Sequence, residues 1–186
     1  TWIIEVVFKQ LKQWTQGGLI IPKIAINISP VQLLESNFPE TIRLLAEKYD
    51  TDPKKIVFEI TESADVEQFS LIRKTLMELK NKGYRFSLDD FGTGFASMAQ
   101  FKRLPFSQVK IDQSFIADIE TSPYSLAITE VVLTIARTLK LDVIAEGVET
   151  QAQLDILTKL GCTGYQGYLF SRPVEADLLQ TVLSDL

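Results

Sequence analysis

The chain has no histidine and a single cysteine, Cys162. The first absence removes imidazole general bases, histidine-containing triads and histidine-ligated zinc, and the second removes an internal disulfide. No apolar run approaches the ~18 residues of a membrane span. No low-complexity stretch, no linker of Pro, Gly and Ser, and no block of like charge interrupts the 186 residues. Nor does the chain open on Met and a basic stretch. Thr1 leads straight into a helical pattern, so nothing resembles a secretory leader and the sequence is expected to be cut from something longer. With 19 basic against 24 acidic side chains the formal charge is −5, which argues against tracking along a nucleic-acid polymer. A small phosphorylated ligand reached through bound cations stays open. Chemistry is left to carboxylates, amides, lysine and metals held by oxygen.

What is present suits one globular domain with a sizeable core: 46% hydrophobic residues and 23% charged, evenly spread. Over residues 2–14, Ile3, Val7, Leu11 and Trp14 recur at helical spacing with Lys9, Gln10, Lys12 and Gln13 between them. After Gly17-Gly18, short β-branched runs alternate with longer helical patterns. Strands are predicted at 23–29, 56–61, 84–90, 108–112, 142–147 and 164–169. Helices are predicted at 30–34, 39–49, 66–82, 95–103, 124–139, 150–160 and 176–183. Strands each followed by a helical pattern predict an α/β fold with a parallel sheet and helical crossovers.

The polar residues fall at telling places. Asn27, Glu59, Asp89 with Asp90, Lys110, Glu146 and Gln166 each lie within or at the C-terminal end of a different predicted strand. Apolar neighbours flank them, Ile26 and Ile28 around Asn27, Phe58 and Ile60 around Glu59, Val109 and Ile111 around Lys110, so alternation puts the polar set on the opposite face. An open doubly wound sheet gathers ligands at one switch point, from two or three strands. A (β/α) barrel gathers them from all its strand ends at one mouth, and fits this spread better.

Each motif has a plainer reading. Ser29-Pro30 caps a helix, but Asn27 points the other way and offers an amide oxygen suited to a hard cation. Glu59 alone reads as easily as half of a structural ion pair. Asp89-Asp90-Phe91-Gly92-Thr93-Gly94 is the most specific signal: adjacent carboxylates at a strand end repel unless cations or protons offset them, and two glycines free the loop that follows. Its competitor is a glycine-rich turn or a phosphate cradle. Lys110 and Asp112 on one strand face neutralise each other in the plain reading; in the functional one Lys110 stabilises charge developing on an anionic oxygen. Glu146-Gly147-Val148-Glu149 and Gln166-Gly167-Tyr168 complete the ring, each with a glycine that permits close approach.

These motifs, with Glu59-Ile60-Thr61-Glu62-Ser63, Lys110-Ile111-Asp112, Ala145 to Thr150 and Gln166 to Phe170 in this order and spacing, resemble the EAL domain of bacterial cyclic-di-GMP phosphodiesterases. The resemblance implies a TIM-like barrel whose first strand is antiparallel, and an enzyme that opens cyclic-di-GMP to linear pGpG with two divalent cations, Mg²⁺ or Mn²⁺. It implies Asn27, Glu59 and Asp89 as ligands of one cation, and Asp89, Asp90 and Glu146 as ligands of the other. Lys110, Glu146 and Gln166 become the catalytic set, Asp112 and Glu149 contact substrate, and Glu62 anchors the loop after Asp90. It further implies a cytoplasmic domain, a homodimer, and companion signalling domains in a parent protein that can itself be membrane-anchored.

One departure is large. The Glu-Ala-Leu motif that names the family is absent, so residues 1–186 are expected to be an EAL-like domain lacking its first two strands and first helix, about six strands of eight. A chain of this extent alone should bind metal and turn over poorly. Two other readings stay open: a non-catalytic cyclic-di-GMP receptor or protein-docking module of the same fold, and a different metal-dependent barrel enzyme acting on a carboxylate substrate.

Overall fold

The structure, a computed structural model, describes residues 1–21, 23–61, 69–92 and 103–185. Two compact units share the chain, the first extending to Ser87 and the second taking over at Leu88 and including everything from Phe106 onward.

In the first unit, helix α1 (Trp2–Gln16) leads to β1 (Ile24–Asn27), α2 (Pro30–Leu33), α3 (Phe38–Tyr49), a 3-10 turn (Pro53–Lys55), β2 (Ile56–Thr61) and α4 (Phe69–Asn81). The sheet order is β1, β2, then β3 (Arg85–Phe91), a strand that starts here and ends in the second unit. Strands β1 and β2 run parallel, with Asn27 opposite Glu59. The first five residues of β2 are buried, as in strands covered on both faces, and Phe58 packs at 5.4 Å from Tyr84 and 6.1 Å from Phe86. On α1 the buried face is Ile4, Phe8 and Leu11, while Ile3 is 57% exposed, so the expected stripe is rotated by one residue. The sequence offers apolar pairs at Ile3-Ile4 and Val6-Val7, so two phases fit the period, and burying the larger Phe8 selects one.

In the second unit β3 is followed by β4 (Gln108–Ile111), α5 (Gln113–Ala117), α6 (Pro123–Leu139), β5 (Asp142–Glu146), α7 (Gln151–Lys159), β6 (Gly164–Gln166), a 3-10 turn (Ala176–Leu178) and α8 (Leu179–Asp185). The sheet continues in chain order from β3 to β6, and β4/β5 and β5/β6 are parallel. Three expectations shift. Strand β4 stops at Ile111 and Asp112 becomes the N-cap of α5, a helix the sequence reading did not foresee. Strand β6 stops at Gln166, where Gly167 passes so close to the next loop that a Cβ would lie 2.1 Å from the Val148 carbonyl oxygen. The helix expected at 95–103 lies outside the described residues but for Arg103. Among the described residues no helix is long and apolar enough to cross a membrane. Cys162 is buried, and burial pushes its thiol up, so it is an inert packing residue.

Candidate active site

Strand alternation would send Asp89 and Asp90 to opposite faces of β3. The chain avoids this by taking Asp90 into the left-handed region, φ 55°, and Gly92 follows at φ 102°. Asp90 donates its backbone N–H to Asp89 Oδ1 at 3.2 Å, which helps hold the kink. As a result both carboxylates and that of Glu146, at the end of β5, bring one oxygen each within 4.8 Å of one another. Lys110, at 4% exposure, sits among them: its ammonium donates to Asp89 Oδ1 at 3.0 Å and to Glu146 Oε1 at 2.7 Å.

The pairing of Lys110 with Asp112, the plain reading of that strand, is thereby replaced. Asp112 Oδ1 accepts from the Ser114 N–H at 3.0 Å and from the Ser114 hydroxyl as the cap of α5. Lys110 reaches Glu146 instead because its register partner on β5 is Ile144, two residues before Glu146 and on the same face.

Three carboxylates face one ammonium, and the excess shows. Burial first, then the charges of Asp89 and Asp112, push the Asp90 carboxyl above the ordinary aspartate range. Its folded pKa lies above its unfolded one near ~4, so the folded protein takes up the proton first and cation-free stability should rise as pH falls from neutrality through the raised value. With divalent cations chelated, Asp90→Asn should raise the melting temperature at pH 7 and flatten that pH slope, Asn also tolerating the left-handed backbone. A melting temperature below wild type at pH 7, with the slope intact, would contradict this origin of the shift.

Beside the cluster lies a cavity of about 360 Å³ whose lining includes Asp90, Asp112, Glu146, Glu149, Gln166 and Tyr168. Its wall is built from two loops joined by backbone hydrogen bonds, Val148 N–H to the Gln166 carbonyl and Leu169 N–H to the Val148 carbonyl, each 3.0 Å. Gly147, at φ 71°, also lines it and lies against Gln113, where a Cβ would meet Gln113 Cβ at 2.7 Å. Gln166 is the register partner of Glu146. Of the residues singled out from sequence, the second unit therefore brings together Asp89, Asp90, Lys110, Asp112, Glu146, Glu149 and Gln166. Asn27, exposed, and Glu59, 6% exposed, are neighbours across β1 and β2 in the first unit. Glu62 lies outside the described residues. Sequence reasoning missed Tyr168 as a lining residue and Gln153 behind the wall; the Thr150-x-x-Gln153 spacing of a capping box was the available signal for the latter.

An oxygen-only cluster of this kind fits a hard divalent cation: carboxylates already converge, their mutual repulsion is only partly offset, and among the described residues no histidine or second cysteine competes.

Comparison with known proteins agrees. The sequence pattern of the EAL domain family matches residues 1–173. The bifunctional diguanylate cyclase/cyclic di-GMP phosphodiesterase MucR of Pseudomonas aeruginosa is 35% identical over 178 residues, 96% of this chain and 26% of MucR. The chain spans about a quarter of the length of the curated relatives it matches. The MucR phosphodiesterase solved in complex with c-di-GMP superposes with a TM-score of 0.89 at 35% identity, covering 96% of this chain and 72% of that one. The EAL domain of Mycobacterium smegmatis DcpA gives 0.92 at 33% identity, over 99% and 83%. A manganese and cyclic-di-GMP complex of Klebsiella pneumoniae BlrP1 gives 0.80 at 29%, over 91% and 42%. Parallel strands alternating with helices, superposing this well on solved EAL domains, have the TIM-like barrel fold of that family, and the chain belongs to the EAL domain family.

Proposed function

We propose that this chain is part of the catalytic domain of a divalent-cation-dependent phosphodiesterase that hydrolyses cyclic-di-GMP to linear pGpG. The observation that carries the reading is the buried Lys110 ammonium held between Asp89 and Glu146 with Asp90 alongside, at the edge of a cavity large enough for part of a nucleotide. Asp89, Asp90 and Glu146 would hold a divalent cation, Mg²⁺ or Mn²⁺. In the first unit, taken by itself, Asn27 and Glu59 are the oxygen donors that family likeness assigns to cation binding. When bound, the cations acidify water and offset charge on the phosphoryl oxygens.

The remaining work belongs to the chain. Lys110, fixed by two carboxylates and shielded from solvent, presents a positive charge to the equatorial oxygen on which charge grows in the transition state. Glu146 takes a proton from the attacking water as its oxygen bonds to phosphorus and the P–O3′ bond breaks, the ribose oxygen taking its proton from solvent. Gln166, opposite Glu146, offers an amide to the same region. Asp112 and Glu149 line the cavity as acceptors for ligand N–H and O–H groups, and their negative charge disfavours entry of anions not accompanied by cation. The proposal extends to a cytoplasmic domain within a parent protein that carries further signalling domains, and to a homodimer.

The test is hydrolysis of cyclic-di-GMP by the full-length protein with Mn²⁺, product followed by chromatography. We expect pGpG with Mn²⁺ and none after chelation. Binding of cyclic-di-GMP without turnover would instead establish a receptor, and turnover undiminished by chelation would remove the cation from the reading.

A further inference from the structure

Behind the cavity wall, Gln153 on α7 is 4% exposed and uses every hydrogen-bonding position of its amide. Its Oε1 accepts from the backbone N–H groups of Glu149 at 2.8 Å and Thr150 at 3.0 Å. Its Nε2 donates to the carbonyl oxygens of Ile116 at 3.2 Å and Ala117 at 3.4 Å, at the end of α5. The two carbonyls demand donors and the two N–H groups an acceptor, and among side chains only a primary amide supplies both in one plane. Capping α7 needs only half of this: Thr150 and Gln153 already form a capping box, and the bonds to α5 add nothing to it. Their partner α5 is capped by Asp112, whereas the loop that Gln153 holds carries Glu149 and, two residues earlier, Gly147 pressed against Gln113. The same two segments both line the acidic cavity, through Asp112 and Gln113 on one and Glu146, Gly147 and Glu149 on the other.

We propose that Gln153 is a positioning residue that clamps the β5–α7 loop to α5 and so sets the separation of Asp112 from Glu146 and Glu149 in the cavity lining. This rests on the phosphodiesterase reading for its catalytic consequence, though the clamp itself is a property of the fold. The α5 helix has five residues and little intrinsic stability, so its end is held by what binds its carbonyls. Releasing it lets Asp112 drift while Lys110, Asp89 and Glu146, tied to one another on strands, stay in place.

Two substitutions in the full-length protein separate clamp from cap. Q153E keeps both accepted bonds and loses both donated ones; Q153M loses all four at similar volume. We expect both to raise KM for cyclic-di-GMP by roughly 10-fold, at the low end of the ~10–100-fold loss usual for groups that support a site, and more than they lower kcat. Mn²⁺ binding by Q153E, read by titration with the metal alone, should stay near wild type, because the carboxylates of the cluster keep their places on the strands. Folded Q153E with KM equal to wild type would show that Gln153 merely caps α7. Amide exchange in the wild-type protein decides the matter if the variants fail to fold or if wild type proves inactive. Glu149 and Thr150 exchanging in one cooperative step with residues 114–119 supports the clamp. Independent exchange of the two segments overturns it. Absence of wild-type turnover with cooperative exchange defeats the phosphodiesterase reading alone.

Discussion

Asp89→Asn should lower the turnover of cyclic-di-GMP by roughly 10²–10³-fold or more, the scale on which loss of one preorganised electrostatic group is felt. The argument is local. Asp89 is 8% exposed, its Oδ1 takes both the Lys110 ammonium and the Asp90 N–H, and an amide oxygen of the same shape can still accept from each. Shape and hydrogen bonding survive while one negative charge leaves the cluster. Cation affinity should fall with it, because the remaining charges are those of Asp90 and Glu146 against Lys110. Folding should be little changed, since removing one of three converging carboxylates relieves repulsion. Initial rates at saturating Mn²⁺, with circular-dichroism melts of both proteins, make the check. Wild-type rates in Asp89→Asn would end the assignment of this cluster as the cation site, and a collapsed melt would show Asp89 to be structural first.

The second large effect is on stability. At Gly167 a Cβ would lie 2.1 Å from the Val148 carbonyl oxygen and 2.3 Å from its nitrogen, distances that no rotamer can relieve because both atoms are backbone. An alanine there must part the two loops, giving up the Val148 N–H to Gln166 bond and the Leu169 N–H to Val148 bond. Two hydrogen bonds at ~1 kcal/mol each and an overpacking cost of ~1–3 kcal/mol put Gly167→Ala at about 3 kcal/mol or more destabilising. Urea unfolding measures it, and a change below about 0.5 kcal/mol, the range of neutral surface substitutions, would mean that the loops part freely. Since Gln166 and Tyr168 flank the glycine, cyclic-di-GMP binding should weaken in whatever fraction stays folded.

Much of this could be read from the chain. The polar residues at strand ends were visible because each interrupts an apolar alternation, and the structure puts Asn27 opposite Glu59 and Glu146 opposite Gln166. Glycines after the carboxylates marked the tight passages at Gly92 and Gly147. What stayed hidden depends on non-local geometry. Lys110 had Asp112 two residues away in sequence, and only cross-strand register reveals Asp89 and Glu146 as its partners. Helix α5 is too short for a 3.6-residue period to show, its sole herald being the Asp112 cap. The α1 stripe read as Ile3, Val7, Leu11 and Trp14 missed by one residue, because adjacent apolar pairs let two phases fit the period and packing chose the one with Ile4 and Phe8. Gln153 showed its capping half in the sequence, while its bonds to Ile116 and Ala117 span more than 35 positions.

The bridge from Lys110 to Asp89 and Glu146 has a consequence for biosynthesis. A pocket of bare carboxylates would have to wait for metal before it could close, and nascent chains would be stranded whenever the cell ran short of cation. Here the polypeptide brings its own positive charge, so the strands can assemble around an internal counter-ion and loading can come afterwards. If the cluster takes up cation as proposed, folding and loading become separate events, and occupancy of the cluster can follow free divalent cation without new synthesis.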